Sequence, residues 1–193
     1  MLDMGPYYLT TMIQLFGPVK AVSGRAIKSS DERLMRSGPQ KGQMVEVECP
    51  THYVGSLEME SGVIVQSTFS FDYSYGADSS HLPEVYGTEG SLRCSDPNGF
   101  IGAPEMSRLY GSSEFKPEER SHNYEAGRGI GLDDMILAIR ENRPPRCGGD
   151  VAYHALDVML AFEDSERERR TIEIESTCSR PAPVAPDGRL ELG

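Results

Sequence analysis

Apolar residues at Tyr8, Leu9, Met12, Ile13, Leu15 and Phe16 recur at helical spacing and stop at Gly17-Pro18. That pattern predicts a first helix of about 13 residues. From Val19 to Ile27 apolar and polar or small residues alternate, which reads as a strand, and the charged, Gly- and Ser-rich stretch Ser29 to Gln43 reads as a surface loop or arm. Three strand-like runs follow, Met44 to Glu48, Tyr53 to Met59 and Val63 to Phe71, the last two joined by a turn at Glu60-Ser61-Gly62. Asp72 to Leu82 is a polar loop bearing aromatics. Glu84 to Tyr86 and Ser91 to Cys94 flank Gly87-Thr88-Glu89-Gly90 as a hairpin, Asp96 to Gly99 is a turn, and Met106 to Tyr110 is a short strand. Gly111 to Gly129, poor in aliphatic residues, reads as a loop.

Helical spacing returns at Ile130, Leu132, Met135, Ile136, Ala138 and Ile139 and ends before Pro144-Pro145. Asp150 is the expected N-cap of a third helix, Val151 to about Arg167, whose apolar face is Val151, Ala155, Leu156, Val158, Met159 and Phe162. Thr171 to Glu175 closes the body as a strand, and the Pro-containing end reads as a loose tail. Together these elements predict an α+β fold, an open and largely antiparallel sheet with helices packed on one face. The expected organisation is one domain over residues 1–176 and a flexible tail over 177–193. A half-covered sheet is a natural surface for a C2 homo-oligomer.

Composition narrows the function classes. With 193 residues, 38% hydrophobic and 25% charged, the chain can build one good core. A net charge of −11 argues against nucleic acid and against an anionic membrane surface. No apolar run approaches the ~20 residues of a membrane span, and no signal peptide follows Met1. Cys49, Cys94, Cys147 and Cys178 are far apart, with no metal-ligand spacing to a histidine. They read as free thiols of a reduced, cytoplasmic protein, with no metal site.

Candidate chemistry sits at the start of the first helix. Asp3 and Tyr7 are four residues apart and share a helix face, where a carboxylate and a phenol can hold a hydroxyl-bearing ligand and move its proton. Asp3 as a simple N-cap is the competing reading. His81, on the polar loop with Tyr73 and Tyr75, either lines a pocket or is only solvated, and His154 among apolar neighbours reads as a satisfied core histidine. Gly127-Arg128-Gly129-Ile130-Gly131 has no apolar strand before it and is not a dinucleotide fingerprint. No cofactor-binding residues are assigned.

Three segments, LDMGPYYLTTMIQLFGPV, EVYGTEGSLRCSDPNGF and AIRENRPPRCGGDVAYHALDVMLAFEDSER, resemble in their order the C-terminal domain of the Gfo/Idh/MocA oxidoreductases, the family of glucose–fructose oxidoreductase and inositol dehydrogenase. The resemblance spans about residues 1–176. It implies the substrate-binding and oligomerisation part of an NAD(P)-dependent oxidoreductase acting on the CH–OH group of a sugar, cyclitol or related polyol. The family's Rossmann domain, with its glycine turn and E-K-P lysine, is expected to be absent, so NAD or NADP would serve the full-length enzyme and not bind this chain alone. The family's D-x-x-x-H signature maps onto Asp3 and Tyr7, with Tyr in the His position. By that resemblance Tyr7 is the proton relay, with Tyr8 the runner-up, and Asp3 orients substrate; Tyr8, Tyr73 and His81 are the candidate substrate contacts. A stand-alone, non-catalytic dimerisation module and one half of a split dehydrogenase are the alternatives.

Overall fold

The computed structural model describes residues 1–73, 82–99, 102–108, 114–118 and 127–184. In chain order these form α1 (Gly5–Phe16), β1 (Val19–Ile27), β2 (Glu32–Leu34), β3 (Met44–Glu46), β4 (His52–Met59), β5 (Ile64–Ser70), β6 (Glu84–Tyr86), β7 (Ser91–Arg93), β8 (Glu105–Ser107), β9 (Lys116–Pro117), α2 (Ile130–Glu141), α3 (Gly149–Glu168) and β10 (Ile172–Glu173). They fall into two compact units, one drawn from residues 1–75 and 149–180, the other from 76–148 and 181–193.

In the first unit a four-stranded sheet runs in the order β10-β1-β4-β5, antiparallel at every pairing. Strand alternation turns Val22, Gly24 and Ala26 of β1 toward the same face as their partners Leu57, Gly55 and Tyr53 on β4. Val65, Ser67 and Phe69 of β5 continue that face. Against it lies α3, whose buried residues Val151, His154, Ala155, Val158, Met159, Phe162 and Ser165 follow the helical repeat. Phe162, fully buried, lies across the glycine pair Gly24 and Gly55, and a Cβ on Gly24 would fall 2.6 Å from its ring. Only glycines let a ring come this close to a strand pair. The α+β class is therefore present in the structure, with α1 and α3 packed in one core with this sheet.

The opposite face of the sheet is polar and exposed, with Ser23, Arg25, Gln66 and Thr68 around the exposed Ile27 and Ile64. A β-bulge between Val19 and Ala21 breaks the alternation, so that Ala21 and Val22 are both buried. The arm expected between Ser29 and Gln43 supplies β2, which pairs with β3 as a separate ribbon. Its charged and exposed sequence carries no apolar alternation, which hid the strand. Although α1 has Tyr8, Met12 and Leu15 along one side, these are not an exposed patch: Met12 is buried and the other two half-buried. Exposed apolar residues instead mark α3 at Tyr153, Leu156 and Leu160 and α2 at Leu132, Met135 and Ile139.

The second unit holds an antiparallel sheet in the order β6-β7-β8-β9 and helix α2. The hairpin expected at Gly87–Gly90 closes with Gly87 N–H donating to the Gly90 carbonyl at 2.9 Å. At Asp96–Gly99 the expected turn is an Asx turn, with Asn98 N–H donating to Asp96 Oδ1 at 2.9 Å. β9 lies in a stretch read as loop, since a two-residue strand leaves no periodicity to detect. α2 ends on Asn142 in the left-handed region at φ 51°. Asp134, buried on this helix, accepts from Arg143 Nη2 at 2.8 Å, from the Arg146 backbone N–H at 2.7 Å and from Arg146 Nη1. Burial alone would raise its carboxyl, but these donors together hold it below the usual 3.8. No helix among the described residues is long and apolar enough to cross a membrane.

Candidate functional site

The start of α1 is seated from below. Gly5 N–H donates to the Met1 carbonyl at 2.7 Å, which closes a helical turn over residues 1–5. Met1 is buried in the core, and a Cβ on Gly5 would lie 2.8 Å from Met159 Sδ of α3. The first turn of α1 is thus pressed onto α3 at its one small residue. Pro6 in this turn lacks only an N–H that a helix start leaves unpaired anyway.

Asp3 does not cap the helix. The N-cap is Met4, at φ −93° and ψ −26°, with no side-chain cap bond. Because Met4 is itself helical, Asp3 stands one full turn before Tyr7 on a continuous helical path, the carboxylate exposed and the phenol half-buried. Thr11 Oγ1 donates to the Tyr7 carbonyl at 2.8 Å and Thr10 Oγ1 to the Pro6 carbonyl at 2.6 Å, fastening the turn that carries the phenol.

Tyr8, a hundred degrees further round the helix, leaves that side. Its ring meets Phe69 of β5 edge-on, centroids 6.0 Å apart, on the helix-covered face of the sheet. Tyr73 lies just past β5 and stacks edge-on with His52, the first residue of β4, at 5.5 Å. By alternation from buried Tyr53, His52 belongs to the other face, so Tyr8 and Tyr73 meet neighbouring rungs of one strand pair from opposite sides. His81 lies outside the described residues. The sequence reading did not give His52 a role beside Tyr73. Its signal was the register that sets His52 opposite Ser70, which no local pattern reveals. In the same corner Thr51 Oγ1 donates to Asp72 Oδ2 at 2.8 Å, and Arg33 donates to the Phe71 carbonyl.

Among the described residues no group of His, Cys, Asp and Glu could hold a metal ion. The glycines 127–131 wind directly into α2, with Gly129 its helical N-cap, and the described strand before them, β9, ends at Pro117. A pyrophosphate cradle needs a strand feeding the glycine turn, and among the described residues none leads directly into this one.

His154 is a core histidine, wholly buried, with Val19 N–H donating to Nε2 at 2.9 Å and Nδ1 at 2.9 Å from Ser176 Oγ. All four cysteines are free thiols, and burial pushes Cys94 and Cys178 above the usual thiol value.

Residues 1–93 match the GFO/IDH/MocA C-terminal domain. No curated protein matches the sequence. Among solved structures, levoglucosan dehydrogenase in complex with NADH and L-sorbose has the same fold at a TM-score of 0.70 and 16% identity, over 90% of this chain and 50% of that one. An NAD binding oxidoreductase from Klebsiella pneumoniae gives 0.69 and 19%, over 89% of this chain and 50% of its own. The aldose-aldose oxidoreductase from Caulobacter crescentus, complexed with glycerol, gives 0.63 and 22%, over 89% and 46%. The chain spans about half the length of each of these proteins. Residues 1–93 thus resemble the GFO/IDH/MocA C-terminal domain, and some nine-tenths of the chain has the fold these oxidoreductases share.

Proposed function

We propose that this chain is the substrate-binding and oligomerisation part of an NAD(P)-dependent oxidoreductase acting on the CH–OH group of a sugar, cyclitol or related polyol. The observation that carries the reading is the helical placement of Asp3 one turn before Tyr7, at a helix start held down by Gly5, Met1 and Met159. That one fold relative, levoglucosan dehydrogenase, is known in complex with NADH and L-sorbose and with NADH and levoglucosan supports the substrate class. Tyr7, as its phenolate beside a cation supplied from outside this chain, accepts the proton of the substrate hydroxyl as it is oxidised, and Asp3 accepts a hydrogen bond from a neighbouring hydroxyl and so orients the ring. Tyr8, braced on Phe69, offers aromatic surface to the sugar, with His81 as a further polar contact, whereas Tyr73, braced on His52 on the opposite face of the sheet, stands apart from Tyr8. The nicotinamide cofactor is held by residues other than those described here. Oligomerisation uses the exposed sheet face around Ile27 and Ile64, in a cytoplasmic homo-oligomer.

The test is a panel of polyols with NAD+ and NADP+, run on a polypeptide that joins this chain to a dinucleotide-binding domain. Tyr7→Phe should lower kcat by about 100-fold or more, the usual contribution of a positioned acid or base, while cofactor affinity stays unchanged. An unaltered kcat in Tyr7→Phe removes the proton relay from this residue.

A further inference from the structure

His154 joins three elements through one ring. Its Nε2 takes the backbone N–H of Val19, the first residue of β1, at 2.9 Å. Its other nitrogen faces Ser176 Oγ at 2.9 Å, and that hydroxyl donates to Asp157 Oδ2 at 2.7 Å, one turn along α3 from the histidine. Ser176 N–H reaches the same carboxylate at 3.2 Å. Because Nε2 accepts and the serine hydroxyl is already donating to Asp157, the ring proton resides on Nδ1. The arrangement is complete only for the neutral ring in that one tautomer.

On either side of Ser176 the chain stays against the first unit. Ile174 N–H donates to the Lys20 carbonyl at 2.9 Å, Ile174 and Cys178 pack on the core, and Arg180 Nε donates to the Gln14 carbonyl near the end of α1 at 2.8 Å. The histidine thus sits where the α1–β1 junction, α3 and this closing strap meet.

We propose that His154 is an acid-operated latch: a proton taken from solvent onto Nε2 sets two donors, that N–H and the Val19 N–H, against each other, and the junction and strap open together. The ring is wholly buried and must leave its place to rehydrate, which takes from Ser176 Oγ the ring N–H it accepts and leaves the strap held at this point by Asp157 alone. Among the described residues the charges reaching the ring are Asp157 from α3 and Glu60 from the turn between β4 and β5. The strap presents the Ser176 hydroxyl, and β1 presents backbone. Burial is the largest influence and holds the imidazole below its usual 6.5, while the Ser176 hydrogen bond, Asp157 and Glu60 pull it back up. A ring harder to protonate closed than open makes opening proton-coupled. The closed corner is at full strength above 6.5 and weakens as pH falls from there to the closed-state value.

Hydrogen–deuterium exchange on the whole chain between about pH 7.5 and 5, corrected for intrinsic rates, reads the latch. Peptides covering residues 17–22 and 174–180 should lose protection together, by up to about tenfold per pH unit below 6.5, while α2 stays level. His154→Gln keeps an acceptor for Val19 N–H without titrating and should flatten the pH dependence in both peptides. A level profile in the native chain, or a slope that persists in His154→Gln, overturns the proposal. Should that variant not fold, imidazole 15N shifts of the native chain decide: an Nδ1–H tautomer at pH 7.5, with protonation coincident with opening, upholds the latch, and an Nε2–H tautomer refutes it.

Discussion

Adding a single methyl group to either member of the Gly24–Gly55 pair separates two kinds of close approach that the fold makes at one place. At Gly24 a Cβ would lie 2.6 Å from Phe162 Cδ1 and 3.2 Å from two further ring atoms, all of them side chain. At Gly55 it would lie 2.5 Å from the Ser23 carbonyl oxygen and 2.8 Å from Gly24 Cα, both backbone, and 2.9 Å from Phe162 Cε1. A ring can tilt; a paired strand cannot retreat without losing its ladder. Gly24→Ala should cost about 1–3 kcal/mol, the usual range for overpacking, less about 0.4–1 kcal/mol that alanine returns by restricting the unfolded chain. Gly55→Ala should exceed it.

Phe162→Leu distinguishes the two. Removing the ring should recover most of the loss in Gly24→Ala and little of it in Gly55→Ala, giving coupling energies that differ by about 1 kcal/mol or more. The ring also anchors α3, so Phe162→Ala should cost about 3–5 kcal/mol. Urea unfolding followed by far-UV circular dichroism supplies the free energies, and thermal midpoints should move by about 2–4 °C per kcal/mol for a chain of this size. Neutral alanines at both glycines, or equal rescue of both by Phe162→Leu, would show that the ring and the strand pair are not in contact as described.

Ser165 is a second anchor of α3: its buried hydroxyl accepts from Gly24 N–H at 2.9 Å and donates to the Arg170 carbonyl at 2.7 Å. Ser165→Ala should cost about 1–3 kcal/mol in the same urea experiment, because it leaves a strand N–H buried without an acceptor. In the second unit Asp134→Asn weakens the bonds from Arg143 and Arg146, and exchange protection across α2 should fall by about 1–3 kcal/mol. Since the Asp134 carboxyl lies below 3.8 in the folded state, its stabilisation is complete above that pH and is lost as pH falls through the folded value; Asp134→Asn should remove this acid-dependent part of the α2 profile.

Local chemistry made much of the scaffold legible. Helical repeats placed α1, α2 and α3 within two residues of their ends, and alternation placed β1 at Val19–Ile27. Turn residues located both hairpins and the Asp96 turn, because those geometries are decided by the residues within them. The Asp3–Tyr7 pair was visible for the same reason, since a helical turn relates residues four apart in any surroundings.

Contacts between distant segments were not visible. No local pattern announces that the arm would pair as β2 with β3, or that β6 to β9 would form a sheet apart from β1, β4 and β5. Nor could spacing show Tyr8 turning to Phe69, Tyr73 meeting His52, or Met4 rather than Asp3 closing the start of α1. Each of these depends on which strand lies beside which and on what buries against it. The sequence by itself therefore determined the elements and the spacing of the candidate acid and phenol. Tertiary structure alone decided their surroundings, because register and packing bring together residues such as Val19, His154 and Ser176 that are far apart along the chain.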